Sequence, residues 1–468
     1  MEPLAVETIA HVAGGHVAGG NPGTLVRGVS TDSRTLRPGD LFVPLAGERF
    51  DGHDFIADAL GRGAAATLIR QGRPLPQAGE AAVVLVDDPL LALHRLAAWY
   101  RARLGARVVA VTGSNGKTTT KDMVAAILTR RWSVAKSQGN YNNEVGLPLA
   151  ILSAPRGTGV LVLEMAMRGP GQIRQLAAVA RPEIGIVTNV GPVHMELLGS
   201  MDAIAAAKAE LVEALPGTGW AVLNADDPRV RAMARRTPAR SLLYGLEPGL
   251  ELWASDVTSR GLEGSEFTVH WRGERARVAL PAPGRHNVYN ALAAAGAGLA
   301  LGMRLDEVVQ GLLAVAGHVS GMRLEIHRRA DGVQVINDAY NASPASMASA
   351  LELLAEARGE RRVAILGDML ELGPVAEEAH QDLGRRAAAA RVDLLAYVGQ
   401  WAPTVLAAAA AAGMPPERAV ALPDAAAAAE WAMGAVRPGD IVLVKASRGL
   451  RLEQVAARLL RAEGGERA

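Results

Sequence analysis

The chain has 468 residues, with 49 lysines and arginines against 48 aspartates and glutamates, giving a formal charge of +1. That length predicts roughly three domains of ~150 residues each, and a composition 49% apolar and 21% charged is that of a folded protein with several cores, not a disordered chain. Near-neutral charge argues against a nucleic-acid coat or a polybasic membrane binder; the lack of cysteine excludes disulfides, thiolate metal sites and cysteine nucleophiles; and with neither a basic-then-apolar leader nor an apolar run of ~18 residues, a cytoplasmic protein is predicted.

Residues 1–105 mix short apolar runs with turn signals. The runs 40–45 and 82–86 read as strands, and 88–104 reads as a helix capped by Asp88 with Pro89 in its first turn. A buried strand at 107–112 opens a second segment, 106–318. Strands at 160–163, 184–187 and 221–223 alternate there with helices, including 200–215, which predicts a mostly parallel sheet. The less regular stretch 240–282 suggests an antiparallel patch, and 288–302 reads as a helix rich in Ala and Gly, suited to close packing. The last segment, 319–468, alternates again, with strands at 333–336, 363–366, 394–398 and 441–444 and Ala-rich helices between them. It reads as a second open α/β domain. The positive excess lies in the middle segment, which suits an anionic ligand there.

The strongest local signal is Gly113-Ser114-Asn115-Gly116-Lys117-Thr118-Thr119, placed between a buried strand and a helix as a phosphate loop requires. Glycines let backbone N–H groups turn toward phosphate oxygens, and the helix N-terminus adds positive potential. Lys117 would bridge the β- and γ-phosphates and Thr118 would offer its hydroxyl to Mg²⁺. The first glycine of the usual pattern is replaced by Val111. Glu164 ends a strand, at the edge where open α/β sheets bind ligands; it suits Mg²⁺ or serves as an ordinary strand-end cap. His194 ends another strand of the same sheet.

Only five lysines occur, Lys117, Lys121, Lys136, Lys208 and Lys445, so in this Arg-biased chain a surviving Lys hints at a need for a compact, deprotonable amine. Lys208 sits on a helix among small residues. It is either a solvated lysine paired with a carboxylate or a lysine carbamate able to bind Mg²⁺. Asn287 and Asn290, one helical turn apart, suit reading of a base edge, with a helix cap as the alternative for Asn287. Asp338 follows a strand and suits ribose hydroxyls, and Arg323 suits a transferring phosphoryl group. Lys445, Ser447 and Arg448 close the set at a last strand end.

The phosphate loop, Glu164, His194, Lys208, the run Gly284-Arg285-His286-Asn287 and Asp338 occur in the order seen in the Mur ligase family, and the resemblance spans nearly the whole chain. It implies an α/β protein of three domains: a small N-terminal substrate domain (1–105), a central phosphate-loop mononucleotide-binding domain with a mostly parallel sheet (106–318), and a C-terminal Rossmann-like ligase domain (319–468). It implies an ATP-dependent ligase of peptidoglycan precursors. The runs 140–148, 337–342, 367–373 and 444–448 resemble most the members that join D-alanyl-D-alanine to UDP-N-acetylmuramoyl-tripeptide. The alternative is the related ligase that adds a diamino acid to the dipeptide, whose late Asp-Asn-Pro-Arg motif this sequence lacks. Thr31-Asp32-Ser33-Arg34 resembles the uridine-binding domain that these two share and that folylpolyglutamate synthases lack.

By the same resemblance Lys117, Lys208, His194 and Arg323 are catalytic. Gly113, Ser114, Asn115, Gly116, Lys117, Thr118, Thr119, Asn287, Asn290, Arg323 and Asp338 bind ATP. Ser33 and Arg34 take the uridine diphosphate, Asn142 and Asn143 the muramoyl peptide, and Lys445, Ser447 and Arg448 complete the substrate site. Two Mg²⁺ ions are implied, held by Thr118, Glu164, His194 and the Lys208 carbamate, in a monomer. Two departures stand out: Gly191-Pro192-Val193 replaces the acidic residue common ahead of His194, and Ala446 replaces a usual glycine. Two further readings compete, a nucleotide-gated scaffold without ligation and a generic phosphate-loop ATPase.

Overall fold

In the computed structural model residues 1–47, 50–315 and 321–461 are described. The segment boundary expected at 318 lies outside the described residues. No helix among them is long and apolar enough to cross a membrane.

Three α/β layers follow one another along the chain. The first holds a five-stranded sheet in the order His16–Gly19, Ala82–Val86, Ala66–Arg70, Asp40–Phe42, Gly28–Ser30, parallel except for its first strand. The helix Pro89–Leu104 forms where the cap signals place it. The Asp88 carboxylate accepts from Leu90 N at 2.7 Å and Leu91 N at 3.1 Å, and Gly105 (φ 63°) ends it in the left-handed conformation.

The second layer is a nine-stranded sheet. Arg107–Thr112 lies inside it, between Ile184–Val187 and Val160–Glu164, all parallel. The chain leaves Arg107–Thr112 toward Val134–Lys136 on one side and later crosses to Ile184–Val187 on the other. The direction of winding therefore reverses at Arg107–Thr112, and a crevice opens beyond its C-terminal end. The expected antiparallel patch is smaller than 240–282: Arg240–Gly245 pairs parallel with Trp220–Asn224, and Leu252–Ser259 also joins in parallel. Only Ser265–Trp271 runs against the others, pairing antiparallel with Leu252–Ser259 on one side and Glu274–Leu280 on the other. One face of this sheet is covered by Lys117–Leu128 and Arg285–Ala300, the latter packing through buried Ala291, Ala293, Ala294 and Ala295.

The third layer is a six-stranded sheet. Its edge strand Glu325–Arg328 is antiparallel, and Gln334–Asn337, Ile441–Lys445, Arg362–Gly367, Leu394–Val398 and Ala419–Leu422 are parallel. The last strand to form, Ile441–Lys445, inserts between the second and third, so a second winding reversal places the ends of Gln334–Asn337 and Ile441–Lys445 opposite the phosphate loop.

Candidate active site

A cleft of about 740 Å³ lies between the second and third layers, lined from one side by the phosphate loop, Glu164 and His194 and from the other by Arg323, Asp338 and Lys445. The loop conformation is dictated by close approaches. Gly113 has φ 147°, and a Cβ there would sit 1.8 Å from Thr188 Oγ1; Gly116 has φ 80°, and a Cβ there would sit 2.3 Å from Asn290 Oδ1. The strand end 188–191 braces the loop: Thr188 Oγ1 donates to Asn115 O at 2.6 Å, Asn189 Oδ1 accepts from Asn115 N at 2.9 Å, and Ser114 Oγ accepts from Gly191 N at 2.8 Å. Gly191, the first residue of the run Gly191-Pro192-Val193 that replaces the acidic residue common in the resembled family, thus acts through its backbone.

Lys117 opens its helix and folds back, donating from Nζ to Gly113 O at 2.9 Å and Ser114 O at 3.1 Å. Burial pulls this amine below the usual lysine range, Glu164 opposes that, and Arg323 adds to it. Carbonyl dipoles hold the ammonium where anionic phosphates would hold it more strongly.

Glu164 is 2% exposed. Its Oε2 accepts from the Thr118 hydroxyl at 2.7 Å and its Oε1 from Asn142 Nδ2 at 2.8 Å. A carboxylate, a hydroxyl and an amide oxygen beside a phosphate loop form an oxygen-donor set that fits Mg²⁺, an ion held by one or two carboxylates together with substrate phosphates. Among the described residues no group of three or more His, Cys, Asp or Glu is gathered as a metal cage.

Lys208 is 3% exposed, on Met201–Glu213. The reading as a solvated lysine beside a carboxylate is corrected here. The neighbouring Glu210 instead accepts from Gly171 N and Arg174 N, at the start of Gln172–Ala180. Burial, reinforced by the Lys117 charge, drives Lys208 well below the usual lysine range. The shift disfavours the ammonium form of this side chain. Lys208 does not line the cleft, but an ammonium there would repel both Lys117 and a protonated His194.

Asn287 and Asn290 line the cleft, yet their amides are engaged within the protein. Asn287 Nδ2 donates to Pro283 O at 2.7 Å, Asn290 Nδ2 to Asn287 Oδ1 at 2.9 Å, and Thr120 Oγ1 to Asn290 Oδ1 at 3.2 Å. Gly284, not Asn287, caps the helix. On the far wall, Asp338 Oδ2 accepts from Lys445 Nζ at 2.6 Å, and Arg323 stacks 4.0 Å over the Tyr340 ring.

Other expected residues lie elsewhere. Ser447 is buried and accepts from Leu370 N at 2.9 Å, Arg448 pairs with Glu453, and neither lines the cleft. Asn142 and Asn143 do line it, although the Asn143 side chain also accepts from Gly146 N at 2.8 Å. Ser33 and Arg34 sit in the first layer, where Ser33 bonds Asp58 and Arg34 pairs with Asp32 at 2.7 Å. Sequence reasoning assigns no role to Thr188, Asn189, His286, Tyr340 or Glu371. Two polar residues ending a strand beside a phosphate loop are the signal for the first pair. His286 lines the cleft, and burial pushes its imidazole down to about 4.

The Mur ligase middle domain matches residues 111–298, the glutamate ligase domain of Mur ligases matches 322–448, and the Mur ligase family catalytic domain matches 25–101. The chain is 38% identical over 464 residues to the UDP-N-acetylmuramoyl-tripeptide--D-alanyl-D-alanine ligase of Bacillus subtilis, covering 98% of this chain and 99% of that one. Its structure is similar to that of MurF from Acinetobacter baumannii (TM-score 0.88, 30% identity, 98% and 99% coverage). It is also similar to MurF ligase from Thermotoga maritima in complex with ADP (TM-score 0.81, 31% identity, 95% and 99% coverage). With its three α/β layers, mostly parallel sheets and matches along nearly its whole length, the chain belongs to the Mur ligase family.

Proposed function

We infer that this chain uses ATP to join D-alanyl-D-alanine to UDP-N-acetylmuramoyl-tripeptide, giving the pentapeptide precursor of peptidoglycan. The observation that carries the reading is the full-length identity to the Bacillus subtilis ligase of that name. The convergence of Lys117, Glu164, Arg323, Asp338 and Lys445 on one cleft supports it.

The division of labour we propose gives the uridine diphosphate to residues 1–105, with Ser33 and Arg34 as contacts. It gives the phosphates and the tripeptide carboxylate to 106–318, and the incoming dipeptide and the outer face of ATP to 319–468. We propose that the chain acts as a monomer.

A carboxylate is a poor electrophile and must be activated. One of its oxygens attacks the γ-phosphorus of ATP, ADP leaves, and an acyl phosphate forms. The dipeptide amine then adds to the acyl carbon and expels phosphate. Lys117 exchanges its two loop carbonyls for phosphate oxygens and steadies the transferring group. Thr118, Glu164 and His194 would hold Mg²⁺, which when bound offsets the charge between two anionic reactants. Lys208, buried and with its ammonium form disfavoured, is the residue we propose for a carbamate, whose negative charge would supply a further oxygen ligand. Arg323, flat on Tyr340, faces the phosphoryl group from the C-terminal side. The Lys445–Asp338 pair keeps a cation and an anion at the nucleotide end of the cleft. Asn287 and Asn290 act by fixing Gly116 and the loop. Apposition of the two walls excludes water from the acyl phosphate.

The test is phosphate release from ATP with Mg²⁺ and UDP-N-acetylmuramoyl-tripeptide, with and without D-alanyl-D-alanine. Dipeptide-dependent release with a pentapeptide product by mass is expected. Release triggered instead by a diamino acid on the dipeptide substrate would keep the family and change the member. Lys208→Ala is expected to lose nearly all ligation and to regain part of it with a small added carboxylic acid; full activity in that variant would reject the carbamate.

A further inference from the structure

His194 lines the cleft from the central domain and Glu371 lies 177 positions away in the C-terminal domain, yet His194 Nδ1 and Glu371 Oε2 are 2.5 Å apart. Both hold left-handed backbones that non-glycine residues rarely adopt, φ 54° at His194 and φ 62° at Glu371. Such conformations persist only where the surroundings fix them, and they cluster at functional sites.

The surroundings of Glu371 do fix it. The Asp368 carboxylate accepts from Gln400 N at 2.9 Å, Trp401 N at 3.2 Å and the Tyr397 hydroxyl at 3.1 Å. Met369 N donates to His380 Nε2 at 3.0 Å, and Leu370 N donates to Ser447 Oγ at 2.9 Å. Three successive residues are pinned, and the fourth is Glu371. Beyond it the loop abuts the central domain: a Cβ on Gly373 would lie 3.1 Å from Glu196 Cα.

We propose that Glu371 is a positioning residue for ligation, delivered by the C-terminal domain to orient His194. This rests on the ligase reading above. A carboxylate only accepts, so Nδ1 carries the proton and, in the neutral ring, Nε2 keeps the lone pair. Among the described residues no other hydrogen-bond partner of the His194 ring is recorded, and the residue lines the cleft. A carboxylate behind a histidine fixes its tautomer and ring plane and raises the basicity of the far nitrogen. Here the carboxylate arrives from another domain, so His194 is oriented only when the C-terminal wall is docked. The pair is partly exposed, with side chains 27% and 40% accessible, so its contribution to folding stability is small; its consequence lies in orienting His194 and in holding a joint made of few contacts. It also gives Ser447 a role that its place in the sequence does not reveal, as an anchor of the loop that presents Glu371.

The test compares Glu371→Ala with Glu371→Gln, whose amide oxygen still accepts from Nδ1–H. The chain has no cysteine, so Ala232→Cys and Ala411→Cys, at exposed positions on the two domains, carry the only spin labels. Glu371→Ala is expected to lose about 10–100-fold in kcat with KM for ATP changed by less than about threefold. Its metal-free distance distribution between the labels broadens. Glu371→Gln is expected to recover kcat to within about threefold of the unsubstituted chain and to keep the narrow distribution. Wild-type kcat in Glu371→Ala overturns the proposal, as does an unmoved distance distribution, or a loss that glutamine does not recover. If the unsubstituted chain shows no dipeptide-dependent phosphate release, the ligase reading fails, while the metal-free distances still decide whether Glu371 latches the domains.

Discussion

The central domain is joined to its two neighbours by different physics. On the N-terminal side, Leu93, Leu96, Ala97 and Tyr100 of Pro89–Leu104 share one apolar cluster with Val6, Ile9 and Leu68 behind them and Leu147, Ile151 and Leu176 ahead. Tyr100 adds a hydrogen bond from its hydroxyl to Ala154 O at 2.9 Å. On the C-terminal side the contacts are polar and separate: Ser343 Oγ to Asn115 Oδ1 at 2.9 Å, Ser259 Oγ to Glu356 Oε2 at 2.5 Å, and His194 to Glu371. Apolar support there comes from Val375 and Leu262, each packed on the other domain's side. Apolar burial is strong and non-directional, whereas polar contacts exchange with water at little net cost. The first joint is therefore built to stay closed and the second to separate, as a reaction needs that must admit ATP and two substrates and then exclude water.

The largest expected effect breaks the first joint. Leu96→Ala is expected to cost about 2–5 kcal/mol. Because the cluster is shared, the N-terminal and central parts should unfold together in urea, followed by fluorescence and far-UV dichroism. Non-coincident transitions would mean that the cluster does not couple them. Next, Glu164→Ala is expected to lower kcat about 100-fold and to raise the Mg²⁺ concentration for half-activation, with KM for the UDP substrate little changed. An unmoved metal titration would misplace the ion.

Lys208 is buried on Met201–Glu213. Its amine is driven well below the lysine range in the folded chain. As pH falls below ~10.4 the unfolded chain therefore takes up a proton that the folded chain does not, and stability declines. In CO₂-free buffer at neutral pH, Lys208→Met is expected to raise stability by about 1–2 kcal/mol and to flatten that decline while abolishing ligation. A destabilised Met variant would contradict a neutral buried amine. The smallest effect belongs to the second joint: Ser259→Ala should change stability by no more than about 0.5 kcal/mol. A loss of several kcal/mol on thermal unfolding would show that this joint is not weakly held.

Where a local rule governs, the sequence is legible. Asp88-Pro89 and Gly105 bound a helix by capping chemistry alone, and the apolar runs beginning at 160, 184 and 441 can only be buried strands. Arg240–Gly245 is different. Its parallel pairing with Trp220–Asn224 is a choice of neighbour that no local periodicity encodes, so it reads as part of the antiparallel patch. The same division runs through the site. Lys117 and Glu164 announce themselves through a loop between strand and helix and through a strand end. The spacing of Asn287 and Asn290 places them on one helix face but says nothing of Gly116 and Thr120, which they meet from another element. Glu371 is invisible as a functional group because its partner belongs to another domain. The direction of the Ser447 side chain is set by the loop of Leu370, not by its own strand.

In the proposed reaction the tripeptide carboxylate is activated as an acyl phosphate in this cleft. The most direct test uses UDP-N-acetylmuramoyl-tripeptide labelled with ¹⁸O in its terminal carboxylate, with ATP, Mg²⁺ and D-alanyl-D-alanine, and mass analysis of the phosphate released. Because the attacking carboxylate oxygen stays on phosphorus when the amine displaces it, each phosphate should carry one ¹⁸O. Unlabelled phosphate would mean that water, not the substrate, receives the phosphoryl group, and would contradict the account.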